Sequence, residues 1–179
     1  ANDALRTSKS TVLFKNSWHK GVIGIVAARC VEKFYRPTVI LTESNNKITG
    51  SARSVNGFDL YHAILECSDL LEKFGGHKYA AGLTLDISNL ELFQRRFEEV
   101  VSSTITEDML TPVLEMDMPL HFDLITTKFL TILKQMAPFG PENQRPLFEA
   151  SGVYVFNSLS SFKDRHVRFL AGQQNNENV

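Results

Sequence analysis

With 179 residues, 43% apolar and 22% charged, the chain has the make-up of a globular protein with room for one large or two small cores. A formal net charge of −1 excludes a global positive field, so any nucleic-acid contact must come from a local patch. No apolar run approaches the ~20 residues of a membrane span. Residues 1–10 are polar and carry no signal-like apolar stretch. Cys30 and Cys67 fall on apolar helix faces as reduced core thiols, so a cytoplasmic setting is expected.

Along the first hundred residues strand and helix patterns alternate. Residues 11–14 are a short apolar strand candidate. Ile23, Ala27, Cys30 and Phe34 then step by four, three and four, which predicts a helix over 21–35. Arg36-Pro37 ends it, because the residue before proline is driven out of helical geometry. Residues 38–41 read as a buried strand, Asn45-Asn46 as a turn and 47–53 as the returning strand. Leu60, Ile64, Cys67, Leu71 and Phe74 predict a second helix that stops at Gly75-Gly76. Residues 81–87 supply a strand, and Ser88 followed by Glu91 reads as a capping box before the helix of Phe93, Phe97 and Val100. The expected class is α/β, a mixed sheet flanked by helices.

Composition changes after Ser102, which gives a first domain over 1–103, a polar linker over 104–112 and a smaller β domain over 113–179. Leu114, Met116, Met118, Leu120 and Phe122 alternate with polar residues, a half-wet strand. Ile125, Phe129 and Met136 mark a short helix; 148–156 and 166–171 read as further strands, and 172–179 as a frayed tail. Three or four strands are too few to close a five-stranded barrel.

Three places suit chemistry with an anion. Gly75-Gly76-His77 places an imidazole donor in a turn where the backbone can take positive φ and approach a ligand; the bland alternative is a helix C-terminus. Ser51-Ala52-Arg53-Ser54 alternates so that Ser51 and Arg53 share one side, where a guanidinium fork and a hydroxyl can hold phosphate oxygens; the alternative is an arginine that meets a carboxylate. His19 and Lys20 precede a helix whose first-turn amides are unpaired. Gly24 and Trp18 beside them read as packing residues. In the second domain Lys163, Arg165, His166 and Arg168 cluster with Phe162 and Phe169, a basic and aromatic pattern suited to single strands or to a solvated barrel face.

Taken in order, the blocks Ser17-Trp18-His19-Lys20-Gly21, Arg36-Pro37-Thr38-Val39-Ile40, Gly50-Ser51-Ala52-Arg53-Ser54 and Phe74-Gly75-Gly76-His77 resemble the DHHA1 domain of RecJ-type single-strand-specific DNA exonucleases. Ala137-Pro138-Phe139-Gly140 onward resembles the segment that leads into that family's OB-like domain. Ala52 conforms to a family position that holds glycine or alanine. Phe74 stands where the wider superfamily often has a third glycine, and Glu142 and Gln144 replace the usual glycine and proline.

The resemblance implies a part of a 5′→3′ single-stranded-DNA exonuclease of repair and recombination. In it Ser51 and Arg53 hold the 5′-terminal phosphate, Ser54, His19 and Lys20 also bind substrate, Gly75, Gly76 and His77 face the catalytic domain, and His77 contacts the reacting phosphate. The sequence has no Asp-His-His triplet, and Asp59 with His62 cannot hold two metals. The implied Mn²⁺ or Mg²⁺ therefore belongs to a DHH domain outside this chain, which is itself a partner, along with single-stranded DNA and single-strand-binding or repair proteins. Alternatives are a phosphodiesterase of the same superfamily that acts on oligonucleotides or cyclic dinucleotides, and a non-catalytic docking module.

Overall fold

The chain divides into two compact units, Ala1–Pro112 and Val113–Val179. The structure, a computed structural model, describes residues 8–140, 142–156, 160–162 and 166–174.

In the first unit, β1 (Thr11–Phe14), β2 (Thr38–Ser44), β3 (Lys47–Arg53), β4 (Leu71–His77) and β5 (Ala80–Leu85) form one sheet in the order β1-β2-β3-β5-β4. β1 runs parallel to β2, and every other neighbour is antiparallel. Alternation along these strands separates two faces. Val39, Leu41, Ile48, Ala52, Ala81, Leu83 and Leu85 form a core with helices α2 (Leu60–Leu65) and α3 (Leu90–Thr104), where Phe93, Phe97 and Val101 are fully buried. On the opposite face helix α1 (Ile23–Phe34) sets Ile23 and Ala27 against Ile40, with Leu13 and Trp18 packed beside them. α1 packs on β2 and β3, and among the described residues no helix of the unit covers the half of this face formed by β5 and β4.

Three local expectations are corrected. The helix expected over residues 60–74 is α2, a 3-10 turn over Ser68–Leu70 and then strand β4. Leu71 and Phe74 do pack on the α2 core. Their helical spacing hid a strand, whose ladder with β5 outweighs helix formation through two poor helix formers, Gly75 and Gly76. Ser88 does not cap α3: Asp86 caps a 3-10 turn over Ile87–Asn89 that leads into it, its carboxylate accepting from the backbone N–H (3.0 Å) and hydroxyl (2.8 Å) of Ser88. Phe34 does not join the buried face of α1; it is 50% exposed, with the cations of Lys33 and Arg36 over its ring.

The second unit holds six short strands among the described residues: β6 (Met118–Pro119), β7 (Phe148–Glu149), β8 (Val153–Val155), β9 (Ser160–Phe162), β10 (His166–Arg168) and β11 (Ala171–Gln173). They pair as β6-β7, β8-β11 and β9-β10, and helix α4 (Thr127–Gln135), capped by the Thr126 hydroxyl, lies between β6 and β7 in sequence. The long alternating strand expected from Leu114 shrinks to two residues. Leu114 is 69% exposed, and only Leu120 of that series is buried. Asn143 ties the proline-rich turn together, as its amide donates to the carbonyls of Met136 (3.0 Å) and Pro138 (2.9 Å). The tail beyond residue 174 lies outside the described residues.

Candidate nucleic-acid interface

The β-sheet register assembles the site. Arg53 pairs with Ala80, and Ala80 pairs with His77; Ser51 pairs with Gly82, and Gly82 with Gly75. Paired residues of an antiparallel ladder share a face, so Ser51, Arg53 and His77 all lie on the α1 side of the sheet. Two interstrand spacings put Arg53 and His77 about 10 Å apart. Between them the floor is Ala80, Gly82 and Gly75. A Cβ built on Gly75 meets nothing within 4 Å, and one on Gly82 only the Gly50 carbonyl at 3.9 Å. The half-face is therefore an open trough with a guanidinium on one wall and an imidazole on the other.

The arginine wall meets the start of α1. A Cβ on Gly24, in the first turn, would stand 3.1 Å from Ser51 Oγ and 3.2 Å from Arg53 Nη2. Glycine there is a packing residue, as the sequence suggests, and the packing brings the helix N-terminus onto the Ser51–Arg53 pair. The capping position Val22 offers no side-chain acceptor to the first-turn amides, which leaves a positive dipole end facing the guanidinium. Arg53 Nη1 donates to the Ala52 carbonyl (2.8 Å) and to Ser51 Oγ (3.3 Å), which fixes the fork. No carboxylate pairs with Arg53 among the described residues. A guanidinium whose partners here are neutral oxygens is suited to an anion.

On the other wall, Gly76 has φ +150, and a Cβ there would lie 2.3 Å from the Ala80 carbonyl oxygen and 2.5 Å from Ala81 Cα. Only glycine fits, and the tight hairpin it permits ends β4 with an exposed His77. Lys78 and Tyr79 make the turn, held by Leu60 N–H to the Lys78 carbonyl (3.0 Å) and Ser54 N–H to the Tyr79 carbonyl (3.1 Å). The Ser54 hydroxyl donates to the Phe58 carbonyl at 3.0 Å. His19 folds back so that Nδ1 accepts from Gly21 N–H at 3.1 Å. His19 and Lys20 are exposed in the turn before α1, and neither bonds Ser51 or Arg53 among the described residues. Asp59 and His62 have a structural task, with Asp59 Oδ1 accepting from His62 N–H to cap α2.

In the second unit His166 and Arg168 lie on one side of β10 by alternation and line a groove of about 330 Å³ with Val167 and the half-exposed Phe169. Lys163 and Arg165 lie outside the described residues.

Comparison with known proteins bears on the family and the fold. The family model described as the DHHA1 domain matches residues 8–103. The chain belongs to the DHHA1 domain family. Its second unit matches the RecJ OB domain model over residues 116–179. The single-stranded-DNA-specific exonuclease RecJ of Bacillus subtilis is 39% identical over 137 residues, covering 75% of this chain and 17% of the relative. That of Escherichia coli is 33% identical over 163 residues, covering 88% and 28%. The chain thus spans less than a third of the length of these curated relatives. Among solved structures, an exonuclease RecJ bound to manganese aligns at TM-score 0.51 with 33% identity, over 55% of this chain and 24% of the other. RecJ of Thermus thermophilus in complex with Mn²⁺ aligns at TM-score 0.70 with 22% identity, over 97% and 32%, a likeness of fold.

Among the described residues no three His, Cys, Asp or Glu side chains come together to hold a metal ion. No described helix is long and apolar enough to cross a membrane. Sequence reasoning missed Lys73, Thr49 and Thr84, which share the open face two residues along from Gly75, Ser51 and Gly82. The period-two run Lys73, Gly75, His77 was the available signal, hidden by the helical spacing of Leu71 and Phe74.

Proposed function

We propose that this DHHA1 unit grips the 5′-phosphorylated end of single-stranded DNA for a RecJ-like 5′→3′ exonuclease of DNA repair and recombination, whose catalytic DHH domain lies outside this chain. The observation that carries the reading is the convergence of Gly24, Ser51 and Arg53 at one wall of a glycine-floored trough whose other wall is His77. The terminal phosphate sits on the guanidinium fork, the serine hydroxyl and the first-turn amides of α1. His77 reaches a phosphate oxygen from across the trough, where it stabilises charge that shifts during hydrolysis. Divalent metal, Mn²⁺ or Mg²⁺, would be supplied by the DHH domain, where it activates water. On the OB unit His166 and Arg168, with Lys163 and Arg165, contact single-stranded DNA. The OB match over residues 116–179 favours this reading over a small oligonucleotide or cyclic-dinucleotide phosphodiesterase.

The test is equilibrium binding of otherwise identical single strands that bear a 5′-phosphate, a 5′-hydroxyl or a 3′-phosphate. A preference confined to the 5′-phosphate supports the reading; equal affinities contradict it.

A further inference from the structure

The trough does not end at His77 and Arg53. Along β4, β5 and β3 it continues to a row formed by Lys73, Thr84 and Thr49, since Lys73 pairs with Thr84 and Thr84 with Thr49. These three, with Gly75 and Gly82, line a groove of about 310 Å³. Four residues of strand separate Lys73 from His77, about 13 Å at the usual rise. Lys73 is exposed and has no ion pair among the described residues. Two acidic residues near it in the fold, Glu72 and Asp86, are both taken by Lys47, whose ammonium contacts Glu72 and lies 3.0 Å from Asp86 Oδ2. The bulge between Leu71 and Lys73 lets adjacent residues serve different tasks: Glu72 turns to Lys47, and Lys73 stays on the groove. An exposed ammonium that lines one groove with two threonine hydroxyls suits a phosphodiester contact in kind.

We infer that Lys73, with Thr49 and Thr84, forms a second phosphate subsite that holds the strand a short way downstream of its 5′ end. This inference rests on the proposed grip of the terminal phosphate by Ser51 and Arg53. The subsite makes binding depend on strand length: a mononucleotide fills only the Arg53 end, and a longer strand reaches Lys73. The two carboxylates beside Lys47 close that end of the groove to further phosphates.

The test is the affinity of the 179-residue chain for 5′-phosphorylated oligothymidylates from one to eight nucleotides, measured for the wild type, Lys73→Ala, Lys73→Arg and Arg53→Ala across a salt series. Lys73→Ala is expected to bind the mononucleotide like the wild type and to lose about fivefold on longer strands, the range of an exposed charge contact. Its plot of log K against log salt should flatten by about 0.7, one single-strand phosphate contact, and Lys73→Arg should restore both. Unchanged affinity at every length in Lys73→Ala, with a selective loss in Arg53→Ala, overturns the subsite and leaves the terminal grip standing. An equal loss at every length, the mononucleotide included, also overturns it. No 5′-phosphate preference and no effect of Arg53→Ala overturns the terminal grip, and the subsite with it.

Discussion

Arg53 and His77 pair with the same residue, Ala80, from opposite sides. One cross-sheet row therefore carries a guanidinium, a methyl and an imidazole in that order, running from the strand that α1 packs on to the half of the sheet beyond it. The chemistry follows from this register: donors on both walls, and nothing between them larger than a methyl group.

Arg53→Ala should weaken binding of 5′-phosphorylated strands more than of 5′-hydroxyl strands. A charge-assisted hydrogen bond of this kind contributes on the order of 1.5–3 kcal/mol, so a selective loss of about tenfold or more is expected by fluorescence anisotropy. Equal losses on both strands would make Arg53 a general electrostatic contact.

His77→Ala, introduced into the whole enzyme with its DHH domain, should lower turnover by about 10²–10³, the usual cost of one preorganised donor. His77 is exposed at the end of β4, so melting temperature and metal content should stay at wild-type values. Near-normal turnover with a lowered melting temperature would reduce His77 to a structural residue.

The two glycines of the hairpin should separate cleanly. Gly75→Val places its side chain in open space on the trough floor; the expected outcome is wild-type stability with impaired strand binding. Gly76→Val forces a Cβ into the Ala80 carbonyl at positive φ and should cost on the order of 3 kcal/mol of stability, read by denaturant unfolding. Equal behaviour of the two variants would contradict the face assignment of β4.

Cys67 offers a check on the core. It is fully buried, and that burial lifts its thiol from 9.0 to about 11, partly opposed by Arg96. Because the folded value is raised, its stabilising effect is complete below about pH 9 and is lost as pH rises toward about 11, on the order of 2 kcal/mol. Cys67→Ala should remove that part of the alkaline decline. In the wild type at about pH 8, iodoacetamide should leave Cys67 unmodified until the protein unfolds.

Much of the first unit was legible because its signals are local. The strand of Thr38 and its partner up to Arg53 follow from apolar content and the Asn45-Asn46 turn, where both asparagines take positive φ. The pairing of Ser51 with Arg53 on one face follows from alternation alone. The proximity of Gly24 to Arg53 was not legible, because it depends on how α1 crosses β3, a tertiary fact that no local pattern encodes. Lys73 was missed for a related reason: apolar residues at 60, 64, 67, 71 and 74 satisfy a helix while in fact spanning a helix, a 3-10 turn and a strand that share one core. In the second unit the alternation at 114–122 leaves Leu114, Met116 and Met118 about half exposed or more, and a pattern with little burial made a strand of only two residues.

The most direct test of the terminal grip is amide chemical-shift mapping of the isotopically labelled chain, titrated with a short 5′-phosphorylated strand and with its 5′-hydroxyl counterpart. The expected result is a set of perturbations specific to the phosphate at Gly24, Ser51, Arg53 and His77, on the α1 side of the sheet. Perturbations confined to the α2 and α3 face, or to the second unit alone, would contradict it.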